Sequence, residues 1–165
     1  MKRAPMLAVA LAALLAFSAA RADDKAEAKG KDVDYDIHNG YFESNKSGLA
    51  GDSSDLVFTD QKAFDAVFGV AAVQGGRQRF LPKDAFDSKM VVAVIKRGKG
   101  IYDYKVEKVA DDDGVLEVQY TATPQDGGGT ATFATPLILS VDKGKYTSVV
   151  FIENGKKAGT VKVGG

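Results

Sequence analysis

The chain has a single histidine, His38, set among acids in the stretch DVDYDIHNGYFE. Against a calcium-loop template, Asp32, Asp34 and Asp36 fall at positions 1, 3 and 5, and Glu43 falls at position 12. Position 6 of such a loop needs a glycine for its sharp turn, but here it is Ile37, whose β-branch resists positive φ. The spacing instead suits an exposed strand, with Asp32, Asp34, Asp36 and His38 on one parity and Val33, Tyr35 and Ile37 on the other. A small hydrolase using His38 and the nearby carboxylates is the enzymatic alternative. Its nearest serine source, Gly51-Asp52-Ser53-Ser54-Asp55, lacks the second glycine of a nucleophile elbow and precedes a strand. With no Trp and no aromatic cluster there is no sugar platform for glycoside chemistry.

Two glycine-rich loops are the other candidates. Gly98-Lys99-Gly100, within RGKGIYDY, follows one strand and leads into another. A phosphate cradle needs a helix N-terminus aimed at the anion, so this stretch reads as a hairpin loop. Asp126-Gly127-Gly128-Gly129 reads as a turn or as a surface that lets a partner backbone approach closely. Strands joined in sequence put alternate turns at the same end, so these two loops should be neighbours, with the 111–114 turn opposite. Loops at one end of a rigid scaffold often carry binding. The candidate binding residues are therefore Lys99, Gly100, Tyr102, Asp126, Gly127, Gly128 and Gly129, with Tyr104 turned toward the core. No catalytic residue, metal ligand or cofactor is assigned.

The elements that must position these loops are legible from Met90 onward. Apolar runs alternate with turn chemistry at intervals of about ten residues, giving the strands MVVAVIKR, IYDYKVEKV, VLEVQYTA, TATFATPLILSV, YTSVVFIE and GTVKV. Met90 to Ile95 is continuously apolar, as in a strand covered on both faces. Leu116, Val118 and Tyr120 alternate with Glu117 and Gln119, which predicts one buried and one wet face. Pro136 should mark an edge or a bend between two shorter strands, and Asn154-Gly155 signals a type I′ hairpin. Upstream, TDQKAFDAVFG predicts one short helix capped by Thr59 or Asp60, with Phe64, Val67 and Phe68 on one face and Gly69 at its end. Val33 to Phe42 and Leu56 to Thr59 add one or two strands, and 71–89 reads as loop. The expected fold is mostly β (α+β): an antiparallel meander forming a sandwich or open barrel, with one short helix packed on it.

Residues 1–22, MKRAPMLAVALAALLAFSAARA, have the basic start, short apolar run and small-residue end of a secretory signal peptide. Cleavage near Ala22 would deliver an exported chain, periplasmic or secreted, of about 143 residues without membrane insertion. The 22 bases and 22 acids balance overall; without Lys2, Arg3 and Arg21, nineteen bases face 22 acids, a net charge of about −3. That argues against a nucleic-acid partner. There is no cysteine, hence no disulfide, thiol chemistry or Cys-type zinc site. Residues 23–32, DDKAEAKGKD, read as a disordered leader, and residues 33–165 as a single domain.

The segments LPKDAFDSKMVVAVIKRGKGIYDYKVEKV, GVLEVQYTATP and ATFATPLILSV together resemble the C-terminal domain of the protease-complex accessory subunit PrcB. Phe86 and Met90 to Val94 match that family's Phe-centred entry into an apolar strand, Gly100 and Tyr102 its Thr-Gly-Gly-Tyr loop, Val115 to Pro124 its alternating strand, and Pro136 to Val141 its strand after proline. Tyr41 to Gly48 and the Phe64 helix fit the same group. The chain departs at Lys99 and Ile101 in the loop, and it has no lipoprotein cysteine. The resemblance implies a noncatalytic partner or stabiliser of an extracytoplasmic protease or other protein; a loop-presenting protease inhibitor is a further alternative.

Overall fold

The computed structural model describes residues 25–71, 77–125 and 130–164. These form β1 (Lys31–Asp32), β2 (Tyr35–His38), β3 (Tyr41–Glu43), β4 (Ser53–Phe58), helix α1 (Gln61–Val67), β5 (Phe68–Val70), helix α2 (Ala85–Ser88), β6 (Lys89–Gly98), β7 (Ile101–Asp112), β8 (Val115–Gln125), β9 (Phe133–Asp142), β10 (Ser148–Glu153) and β11 (Lys156–Lys162). One sheet runs β1-β7-β8-β10-β11 and a second β2-β9-β6-β4, while β3 and β5 pair as a separate ribbon. The two larger sheets face each other as a β-sandwich. The fold is mostly β, as expected, and does not close into a barrel.

Strand β6 shows why the chain folds this way. Its even-numbered residues Met90, Val92 and Val94 meet Leu137, Leu139 and Val141 of β9 and Leu116, Val118 and Tyr120 of β8 in the core between the sheets. Its odd-numbered residues Val91, Ala93 and Ile95 meet Phe58, Phe64, Phe68 and Phe86 in a second core on the outer face. A period-2 strand with apolar residues at every position needs both coverings, and each fully buried aliphatic side chain contributes about 1.5–3 kcal/mol. The outer covering is helical: Asp60 caps α1 by accepting from the Ala63 N–H at 2.9 Å, which turns Phe64 inward.

Several expectations are corrected. The sequence suggests one helix, but Ala85–Ser88 forms a second, single-turn helix that buries Phe86 inside the span read as loop. Gly69 does not end α1 in a left-handed turn; the chain passes directly into β5, where a side chain at Gly69 would strike the Phe42 ring at 2.7 Å. Nor is the sheet order a simple meander. The hairpins β7–β8 and β10–β11 lie in one sheet, but β9 between them belongs to the other, so β10 returns parallel to β8. Gly98-Lys99-Gly100 likewise crosses from β6 in one sheet to β7 in the other and is not a hairpin loop. Three extended residues span about 10 Å, enough to reach the facing sheet as readily as a neighbouring strand.

The leader expected over 23–32 is, from Lys25 onward, part of the fold. Ala26 N–H donates to the Gly155 carbonyl at 2.7 Å, Ala28 N–H to Gln119 Oε1 at 2.9 Å, and the Lys29 N–H to Glu117 Oε2. Ala28 packs on Ala110 and Ile152, and β1 then pairs with Asp111 and Ala110 of β7. Small alanines between charges suit a strip whose charged side chains face water while its backbone is used by the sheet. This also buries Gln119 on the face expected to be wet. The Asn154-Gly155 turn is as expected: φ is 51° and 74°, and Glu153 pairs with Lys156 across it. Pro136 does not split β9 but lies where β2 no longer runs beside it, so its missing N–H sits on a locally open edge.

Candidate functional site

The loop face expected from the sequence is partly assembled. Gly98 pairs with Phe133 and Ile101 with Gln125, so the 98–100 link lies beside both ends of the 126–132 connection. Asp126, Gly127, Gly128 and Gly129 themselves lie outside the described residues, as do residues 1–24, where a signal peptide is expected. The turn at 113–114 closes the opposite end of β7–β8. Lys99 is exposed. Gly100 is fixed by close approach: a Cβ there would meet the Gln125 carbonyl oxygen at 2.1 Å. Tyr102 and Tyr104 are half-buried against the inter-sheet core, and Tyr104 Oη donates to the Thr135 carbonyl at 2.8 Å. Of Lys99, Gly100 and Tyr102, Lys99 therefore offers the freest side chain.

A second location has more chemistry. His38 is not on an exposed face with the aspartates but is buried at the end of β2, because the 78–82 segment closes over it. Asn39 ties that segment down: its N–H donates to the Arg79 carbonyl at 3.1 Å, and its Oδ1 accepts from the Arg79 N–H at 2.7 Å. His38 Nε2 lies 2.8 Å from Ser140 Oγ, and among the described residues Nδ1 has no partner in hydrogen-bonding geometry. Burial holds the imidazole pKa below its ordinary value, against the opposing pull of the Arg79 backbone and Asp36, which keeps the ring neutral around pH 7. Asp36 stands 3.4 Å from Lys89 Nζ, which also lies 3.2 Å from Asp142.

These groups line a cleft of ≈ 490 Å³ with Ile37, Gln78, Phe80 and Pro82, a size suited to a small ligand or a few side chains. As a hydrolytic site it is deficient. Ser140 has no exposed surface from which to attack, and Asp36 is held by Lys89 with no hydrogen bond to the imidazole. The cleft has a neutral ring at its base and the charges of Arg79, Lys89 and Asp36 at its rim.

Two charged clusters were not anticipated. The apolar run of β6 ends in Lys96 and Arg97, and the pleat sends them to opposite faces. Arg97 grips Glu43 with both arms, Nε to Oε2 and Nη2 to Oε1 at 2.7 Å each, and Nη1 reaches Ser54 Oγ and the Gly51 carbonyl. Lys96 enters the space between the sheets and meets Glu153 at 2.8 Å; Tyr120 Oη donates to the same carboxylate at 3.2 Å. The signal available in the sequence was a cation in phase with Met90, Val92 and Val94.

Asp55 of β4 joins this inner cluster at the seam with β11, where its carboxylate lies against Gly159. Its Oδ1 is buried without a partner among the described residues. Burial, then Glu153, pushes its pKa above the ordinary value, with Lys96 opposing. A raised folded-state pKa means that Asp55 favours folding fully below its unfolded value and loses that contribution as pH rises through the folded one. Asp55→Asn should therefore raise stability at about pH 8 by on the order of 1 kcal/mol and leave it nearly unchanged at about pH 4. Urea denaturation followed by circular dichroism at both pH values checks this; an equal change at both would contradict the assignment.

The chain matches no protein-family model, and no curated protein or solved structure matches it.

Proposed function

We propose that this chain is an exported, noncatalytic binding module that assists or stabilises an extracytoplasmic protease or other protein partner, and that its contact surface is the cleft beside β2. The observation that carries the reading is the convergence there of two exposed apolar side chains, Ile37 and Phe80, with a buried neutral imidazole and rim charges. Ser140, the hydroxyl beside His38, is fully buried and does not present a nucleophile to that surface. The signal-like N-terminus, the acidic balance of the remaining chain and the resemblance to PrcB-type accessory domains support export and a partner role. The 98–102 loop is the second reading, favoured by the exposure of Lys99 and Ile101.

Capture from an extracytoplasmic fraction with the signal-less protein separates the two surfaces. Ile37→Lys and Arg79→Glu, at exposed positions and with melting temperatures expected to match the parent, should each cut partner retention roughly tenfold or more, while Lys99→Glu should not. Retention lost only with Lys99→Glu moves the site to the loop. Retention that none of the three alters, or no specific retention, rejects the binding-module reading.

A further inference from the structure

We propose that β2 receives an extended peptide as an added strand, and that the peptide places an acidic side chain beside Arg79. This rests on the binding-module reading and names its ligand class.

The sandwich has four sheet edges, and three are blunted. β1 is two residues long and covers only Ala110 and Asp111 of β7, whose remaining outer edge carries Lys105, Lys108 and a bulge between Val106 and Lys108; β11 carries Lys156, Lys157 and Lys162, and β4 lies along β11 at the seam with Asp55 against Gly159. Short, lysine-bearing or covered edges resist pairing. β2, with the sequence YDIH, has no lysine and no partner strand on its outer side among the described residues. In an antiparallel edge strand, alternate residues direct their N–H and C=O groups outward, where a new strand can use them.

The side chains of β2 are arranged for such an addition. Tyr35 and Ile37 pair with Val141 and Leu139, so they share the face that forms the inter-sheet core. Because the sheet stops at β2, they remain 36% and 41% exposed. A groove at the same lip has Val33, Tyr35 and Val109 on its walls, with Asp32, Asp34, Glu107 and Lys108 around them. An added strand would extend the inner face over Tyr35 and Ile37 and direct its own alternate apolar side chains into that groove. Its intervening residues would face the opposite side, where Asp36, His38 and Arg79 line the cleft.

Charge selects among extended peptides. Lys89 is held between Asp36 and Asp142, whereas no acid stands within salt-bridge distance of the Arg79 guanidinium among the described residues. His38, neutral, neither repels nor neutralises an anion. A carboxylate opposite His38 would pair with Arg79, while one opposite Asp36 would be repelled, which sets the register. The ligand is thus two apolar residues at alternate positions with an acidic residue directly beside one of them.

Selection of a displayed random hexapeptide library on the signal-less protein tests this. Enriched peptides should carry that pattern, protect the amides of residues 35–38 from hydrogen exchange when bound, and lose affinity roughly tenfold or more with Ile37→Lys or Arg79→Glu. No enrichment, binding insensitive to both substitutions, or protection elsewhere would overturn strand addition. So would a concentration-dependent dimer abolished by Ile37→Lys, which would assign the edge to a second copy of the chain. If partner capture depends on Ile37 and Arg79 while peptides leave residues 35–38 unprotected, strand addition fails and the binding-module reading stands. If capture ignores both residues, the module reading itself fails.

Discussion

Phe64→Ala is expected to cost about 3–5 kcal/mol, the range for deleting a fully enclosed phenylalanine. For a chain of 165 residues this lowers the melting temperature by about 10 °C. Phe64 is buried on the inward face of α1 and its ring meets four others: Phe68 at 5.0 Å, Tyr41 at 5.2 Å, Phe58 at 5.5 Å and Phe86 at 5.9 Å between centroids. Those rings come from β5, β3, β4 and α2, so the cavity would border β4, which pairs with β6 in the sheet, and three elements that pack over that sheet, and these cannot all collapse inward. The helix itself spans seven residues and is too short to persist without this anchor. Phe64→Leu, which keeps most of the volume, should recover more than half of the loss. Urea titrations monitored by circular dichroism decide the matter. A cost below about 1 kcal/mol would mean that the outer aromatic layer is not cooperative with the sandwich.

How far the sequence reveals this fold depends on which interaction sets each feature. Strand positions from β6 to β11 are legible because they follow from local alternation and turn residues: Met90 to Ile95 had to be covered on both faces, and Asn154-Gly155 had to turn sharply. Sheet membership is not local. The link at Gly98-Lys99-Gly100 reads identically whether it joins neighbours or crosses the sandwich, and only long-range pairing, Gly98 with Phe133 and Ile101 with Gln125, decides. Lys25 to Asp32 looked solvated because its charges dominate its composition, yet its backbone is bound by side chains from β8, Gln119 and Glu117. His38 shares a face of β2 with Asp36, as its parity predicts, but it is buried, since nothing near it in sequence announces that residues 78–82, tied through Asn39, will cover it. The candidate site therefore shifts from glycine loops, which the sequence advertises, to a strand edge whose openness is a property of the sheet.

The Arg97–Glu43 clamp should be the most costly polar contact to break. Arg97 opens the stretch RGKGIYDY, and its side chain, 14% exposed, and that of Glu43, 9% exposed, are joined by two hydrogen bonds. Ser47, Ser54 and the Gly51 carbonyl complete the set, so one guanidinium ties β6 to β3, β4 and the loop between them. Arg97→Ala leaves Glu43 buried without a counter-charge and is expected to cost about 3–5 kcal/mol. Arg97→Lys keeps the charge but not the planar fork, and should retain only part of the stability. Replacing both partners, Arg97→Met with Glu43→Leu, should recover most of the loss, because the penalty of the single variant lies in the stranded carboxylate. The pH dependence gives an independent check. Hydrogen bonding from Arg97 holds the Glu43 pKa below its ordinary value, so the pair contributes fully above the unfolded glutamate pKa and loses that contribution as pH falls through the lowered one. Removing Arg97 should flatten this acid limb of the stability profile, since the isolated carboxyl then gains rather than loses by protonation on folding. A parallel profile in the parent and Arg97→Ala would show that the clamp is a consequence of the packing between β3 and β6 and not one of its causes.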